Sequence, residues 1–124
     1  MLENLFGEMV YSYTREQAIK DGNLVDVSEM GKEAGFNIPV AITRSLHSII
    51  EDIPPRSHYQ SYQGRLWDIL FMGNLAARNN LDTDTLYYKL ILTHGRNKYI
   101  TLKMVLHGGD NGEPVITIML SDED

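Results

Sequence analysis

The stretch that decides the fold is Leu86-Tyr87-Tyr88-Lys89-Leu90-Ile91-Leu92, followed by Ile100-Thr101-Leu102-Lys103-Met104-Val105-Leu106 and Ile116-Thr117-Ile118-Met119-Leu120. In all three runs the even positions are apolar. A period of two puts one face of each strand against a core, so residues 85 to 120 are expected to form a three-stranded antiparallel meander. If the even residues of the first two strands share a face, their connection must have odd length, and a three- or five-residue loop around His94-Gly95-Arg96-Asn97 meets that condition. The opposite face carries Tyr87, Ile91, Tyr99, Val105, Val115 and Met119 among lysines and threonines. Such a face is either solvated or covered by a second chain.

Helical spacing dominates the segment before the meander. Gly64 to about Asn79 places Leu66, Ile69, Leu70, Gly73, Ala76 and Ala77 on one stripe, with Trp67 and Phe71 on a second. A helix apolar around so much of its circumference needs two covering layers or a partner. Upstream, Ile42, Leu46, Ile49, Ile50 and Ile53 suggest a helix from Ile42 that stops at Pro54-Pro55. Thr14 and Gln17 have capping-box spacing for a short helix to Lys20, and Asp21-Gly22-Asn23 turns the chain into a brief buried strand at Leu24, Val25 and Val27. Ser28 is placed to cap another short helix, closed by Gly35. Val10 to Tyr13 is expected to be extended, and Arg56 to Gln63 has neither period and is expected to be a loop. The expected class is therefore α+β, a C-terminal three-stranded antiparallel meander packed against helices. Residues 1–124 would form a single globular domain, with 1–9 a mobile leader and 121–124 a solvated acidic tail.

Composition bounds function more than it defines it. A chain of 124 residues with 43% hydrophobic and 23% charged residues has the usage of an ordinary globular domain. A formal charge of -6 opposes general attraction to phosphate backbones, so no general nucleic-acid binding is expected. The absence of cysteine removes thiolate metal sites, disulfides and cysteine nucleophiles. The acidic start and the lack of a long apolar run point to a soluble cytoplasmic protein with no membrane segment. There is no nucleophile elbow, zinc-binding His-Glu-x-x-His, phosphate loop or dinucleotide fingerprint. No catalytic residue, metal site or cofactor is assigned, and the protein is expected not to be an enzyme, although Asp26, His47, Asp68 and Arg65 could in principle assemble an acid–base site.

The segment from Arg56 to Trp67 interleaves aromatic, amide and guanidinium groups, the chemistry of a stacking surface or an interface anchor. The candidate binding residues are Arg56, Tyr59, Tyr62, Arg65, Trp67, Asp68 and Asp26. Asp26, Arg65 and Asp68 lie between apolar neighbours, and a bland account pairs Arg65 with one of the two carboxylates to offset desolvation.

Three groups of phrases carry a resemblance: Asp21-Gly22-Asn23-Leu24-Val25-Asp26-Val27 through Glu33-Ala34-Gly35-Phe36 to Pro39-Val40-Ala41-Ile42-Thr43; Gly64-Arg65-Leu66-Trp67-Asp68-Ile69-Leu70; and Gly112-Glu113-Pro114-Val115-Ile116-Thr117-Ile118-Met119-Leu120. Together they resemble a family of small, uncharacterised bacterial proteins often encoded on plasmids, phages and other mobile elements. The resemblance implies a shared domain and a mobile-element origin, and assigns no activity or catalytic residue. The resulting expectation is a non-catalytic interaction or accessory domain with a protein partner or a second copy of itself. Its rivals are a small-molecule or nucleotide-binding protein, with an enzyme included in that class, and an acidic DNA mimic.

Overall fold

A computed structural model describes residues 13–55 and 59–123. Its elements in chain order are α1 (Arg15–Lys20), β1 (Leu24–Asp26), α2 (Ser28–Glu33), β2 (Val40–Thr43), α3 (Arg44–Glu51), α4 (Tyr62–Arg78), β3 (Thr85–His94), β4 (Asn97–Gly108) and β5 (Pro114–Leu120). The class is α+β. The five strands form one mixed sheet in the order β1-β2-β5-β4-β3, with β2 parallel to β5 and every other pair antiparallel.

The alternating runs pair as their pattern requires. Tyr88 faces Leu102 and Leu90 faces Ile100 across β3–β4, while Met104 faces Ile118 across β4–β5. Leu90, Leu102 and Ile118 are buried in one core with Ile69 and Leu70 of α4. The meander is nevertheless only part of the sheet, because β2 and β1 extend it beyond β5. Ile42 belongs to β2 and not to a helix. Val40, Ala41 and Ile42 are all fully buried, so this strand shows no period of two and merges in the sequence with the helical spacing after it. The boundary is set by Thr43, whose hydroxyl accepts from the Leu46 amide at 3.4 Å and caps α3. That helix ends at Glu51, before the proline pair.

The β3–β4 turn also departs from expectation. Only Gly95 and Arg96 separate the strands, and Gly95 takes a positive φ of 57°. Register parity is restored by an irregularity between Ile91, which pairs with Tyr99, and His94, which pairs with Asn97. A bulged residue does what an odd loop would have done.

Around the other half of the sheet, Thr14 and Gln17 form the expected capping box on α1. The Asp110 carboxylate adds to it by accepting from the Arg15 and Glu16 amides at 2.7 and 3.1 Å. Ser28 does not cap α2, whose N-cap is Val27; the Ser28 hydroxyl instead donates to Asp26 at 2.5 Å and accepts from the Val40 amide at 3.0 Å. β5 is covered on both faces, and Val115, Thr117 and Met119 are buried where a solvated or partner-facing surface was an expectation. Arg15 crosses this second face, donating to the Thr117 hydroxyl at 2.9 Å and the Ile116 carbonyl at 2.7 Å. The tail is docked at Glu123, whose carboxylate accepts from the Thr43 hydroxyl at 2.8 Å and the Leu120 amide at 2.7 Å. The leader at 1–9 and positions 10–12 of the expected extended segment lie outside the described residues.

Helix α4 starts two residues earlier than its apolar stripe predicts, because Ser61 caps it by accepting from the Gly64 amide at 3.0 Å. Gly73 lets it lie close on the sheet. A Cβ there would come within 2.7 Å of Met104 Cε and 2.8 Å of the Tyr88 hydroxyl, and Tyr88 uses that approach to donate to the Ile69 carbonyl at 2.9 Å.

Candidate functional site

Tyr59, Arg65, Trp67 and Asp68 come together in a cleft of about 540 Å³ at the N-terminal end of α4, closed on the far side by Ile91 and Thr93 of β3. Asp26 and Tyr62, from the same sequence-derived set, lie elsewhere and border a different depression beside α2. Arg56 lies outside the described residues.

Arg65 sits in the first turns of α4 with only 5% of its surface exposed. Its Nη1 donates to the Asp52 carbonyl at 3.1 Å and its Nη2 to the Thr93 carbonyl at 2.8 Å. Its Nε is buried without an acceptor among the described residues. Neither Asp26 nor Asp68 pairs with it. Asp26 is engaged with Ser28, and Asp68, although one helical turn away, is exposed. The guanidinium reaches inward to backbone carbonyls, so the expected ion pair is replaced by dipoles. Burial lowers the Arg65 pKa, with Asp52 pulling in the opposite direction. An arginine still keeps its charge under such a shift.

Next to the cleft lies a second, more apolar groove of about 700 Å³, lined by Phe71 and Met72 of α4, Lys89 and Ile91 of β3, and Tyr99 of β4. Asp68 and Ile91 border both depressions, so the two are neighbours along the gap between α4 and β3. Ile91 is 73% exposed, Tyr99 52% and Phe71 44%. Trp67 stacks on Phe71 with centroids 6.0 Å apart, and Lys89 Nζ lies 4.7 Å from the Tyr99 ring centre. In the second helical stripe Phe71 therefore lies at the surface, while Trp67 is half-buried against the core.

Beside this groove runs an outer edge of the sheet formed by the described strands. β3 is the last strand in the order. The Leu106 amide donates to the Asp84 carbonyl at 2.7 Å, and this pair continues the β3–β4 register in which Thr85 faces Val105. Antiparallel ladders alternate, so even residues of β3 direct their backbone groups to β4 and odd residues direct theirs outward. The ends of the outward row are occupied. Thr85 is bonded through both its amide and its carbonyl to the Thr83 hydroxyl, and the Thr93 carbonyl accepts from Arg65. Between them, the outward backbone groups of Tyr87, Lys89 and Ile91 meet no hydrogen-bond partner among the described residues. Sequence reasoning singled out these side chains as a possible surface. The expected meander already puts β3 at an edge; the placement of β2 beside β5 adds strands at the other end and leaves β3 as the outer strand.

On the opposite flank of α4, the Tyr62 hydroxyl is 2.7 Å from His47 Nδ1 and His47 Nε2 is 3.0 Å from Glu51 Oε1. A proton on Nε2, held by Glu51, leaves Nδ1 to accept from the phenol. Burial, with Glu51 adding to it, raises the Tyr62 pKa. The phenol thus stays protonated, and the trio ties α3 to α4 without generating a phenolate nucleophile. His47 does not meet Asp26, Asp68 or Arg65 in an acid–base cluster.

No helix among the described residues is long and apolar enough to cross a membrane. The sequence model of a family described as a family of unknown function (DUF6573) matches residues 2–124. No curated protein and no solved structure matches the chain.

Proposed function

We propose, for a chain that belongs to the DUF6573 family of unknown function, a role as a protein-interaction domain in which the groove between α4 and β3 takes an extended segment of a partner protein. The observation that carries this reading is the backbone of Tyr87, Lys89 and Ile91, which is unpaired among the described residues and lies beside an apolar groove. A segment entering as an added strand would gain main-chain hydrogen bonds from the edge, and Phe71, Met72 and Ile91 would take its alternate side chains. Exposed edges are normally blocked by charge or covered by other parts of the chain. Here Lys89 is the only charged residue on the open stretch, and its ammonium lies over Tyr99.

Lys89 also bears on the identity of the partner. A two-fold pairing of β3 with a second copy centred on this residue would set two ammonium groups opposite each other, which is unfavourable. A heterologous segment avoids that repulsion. An accessory role on a mobile element is part of the same proposal, and its support is the resemblance carried by the phrases around Asp21, Gly64 and Gly112.

The test is selection of a displayed random-peptide library on the immobilised protein, with Ile91→Asp and Phe71→Asp variants as counter-selections. Enriched sequences should alternate apolar and polar residues and lose binding to both variants. Ile91 is 73% exposed and Phe71 44%, so each substitution should cost no more than about 1 to 2 kcal/mol through poorer propensity and lost packing, and thermal unfolding of each variant confirms that the fold is kept. Enriched peptides that bind the variants as well as the parent would overturn the reading.

A further inference from the structure

We propose that the cleft at the start of α4 is a carboxylate-binding site, and that it receives the C-terminal carboxylate of a segment lying along β3 and running parallel to that strand. This rests on the reading of the groove as a peptide site and gives it a direction and an anchoring chemistry.

The first observation is Arg65. It is a buried cation on the wall of an open cleft, it is held by two carbonyls and no carboxylate, and its Nε has no acceptor among the described residues. Carbonyl dipoles orient a guanidinium without neutralising it, and a carboxylate in the cleft would supply the missing charge through charge-assisted hydrogen bonds from the Nη N–H groups that the two carbonyls leave free. The second observation is the end of α4 itself. This helix has 17 residues, and Ser61 and Gly64 of its N-terminus line the same cleft. The Gly64 amide is taken by the Ser61 hydroxyl, so what the helix end contributes is its dipole, which favours an anion where Arg65 does.

The surroundings limit the charge of that anion. Asp68 lines the cleft, Asp52 lies close enough to act on Arg65, and the whole chain carries -6. A multiply charged phosphate would meet this repulsion in full, whereas a single carboxylate is matched by a single guanidinium. Trp67 and Ile91 add apolar walls for the side chain next to that carboxylate.

Direction follows from the contact between Arg65 and Thr93. The anion site stands at the C-terminal end of β3, and the groove leads back from it toward Lys89. A chain that ends at Arg65 after passing Tyr87 runs the same way as β3. From Tyr87 to Thr93 a strand covers about 20 Å at roughly 3.3 Å per residue, enough for about five to seven residues.

The experiment uses pooled pentapeptides, acetylated at the N-terminus, with Val, Ile, Leu or Phe at positions one, three and five and Thr, Ser or Gln between. Three forms are compared: free acid, C-terminal amide, and an amide extended by one Asp, which restores a carboxylate on a side chain. Trp67 is the only tryptophan in the chain, so its fluorescence reports occupancy of the cleft directly. The free acids should bind at least tenfold more tightly than the amides. Asp68→Asn, at an exposed position, should tighten the acid form several-fold and leave the amide unchanged. Equal binding of acid and amide would overturn the carboxylate site and leave the groove reading standing. Equal binding of the acid and the Asp-extended amide would overturn the chain-end assignment. Displacement by millimolar inorganic phosphate but not by acetate would overturn the selectivity argued from Asp68. Binding of no form would count against the groove itself.

Discussion

Arg65 Nη2 donates to the Thr93 carbonyl at 2.8 Å, tying the first turns of α4 to the far end of the edge strand. With the bond from Nη1 to the Asp52 carbonyl, it anchors the helix, the chain after α3 and β3 at one point. Arg65→Ala would leave both carbonyls without this donor. The expected loss is about 2 to 4 kcal/mol, from roughly 1 to 3 kcal/mol for each unsatisfied buried group less what entering water returns. Urea unfolding followed by Trp67 fluorescence measures it. An unchanged midpoint would show that the guanidinium is dispensable to the fold and leave it to ligand binding alone.

At the centre of the helix–sheet interface, Gly73→Ala should destabilise the protein by about 1 to 3 kcal/mol through overpacking. The new methyl would press on Met104 and on the Tyr88 hydroxyl, two core groups that have little room to move. The double variant Gly73→Ala, Tyr88→Phe removes one of those obstacles, and its loss should be smaller than the sum of the two single losses. Strict additivity in thermal unfolding would place the strain elsewhere.

The same tyrosine gives a pH signature. Burial raises the Tyr88 hydroxyl above its ordinary value of 10.0, so the folded state keeps its proton while the unfolded chain releases it. The associated stability is intact below about pH 10 and falls as pH rises further, by at most about 1.4 kcal/mol per pH unit. Tyr88→Phe should flatten that alkaline decline relative to the parent in denaturation midpoints measured from pH 8 to 11. Parallel curves would mean that Tyr88 ionises as freely in the folded state as in the unfolded chain.

The elements legible in the sequence are those with one face buried and one exposed. β3 and β4 announce themselves because the core takes Leu90 and Leu102 while water takes Lys89 and Thr101. β2 was hidden because Val40, Ala41 and Ile42 are all buried, which erases the alternation. Losing β2 also hid the extension of the sheet beyond β5, and with it the burial of β5 on both faces, while the edge position of β3 was implied by the meander itself. In the candidate site, Arg65, Trp67 and Asp68 were legible as an unusual polar and aromatic run, and the fold places them on one cleft. Asp26 and Tyr62 fell on another flank, since spacing along a chain does not show which side of a helix faces which strand. The partners of Arg65 were beyond reach for a different reason: they are backbone carbonyls, which every residue has and no sequence distinguishes.

Hydrogen exchange at the amides of β3, read by NMR with and without a library-selected peptide, tests the edge-strand account most directly. In the free protein, Tyr87, Lys89 and Ile91 should exchange rapidly while Tyr88 and Leu90, bonded to β4, are protected. Saturating peptide should slow the three odd-numbered amides by at least tenfold and leave Thr85, already held by Thr83, little changed. A peptide that binds while these three amides exchange as before would contradict strand addition at this edge.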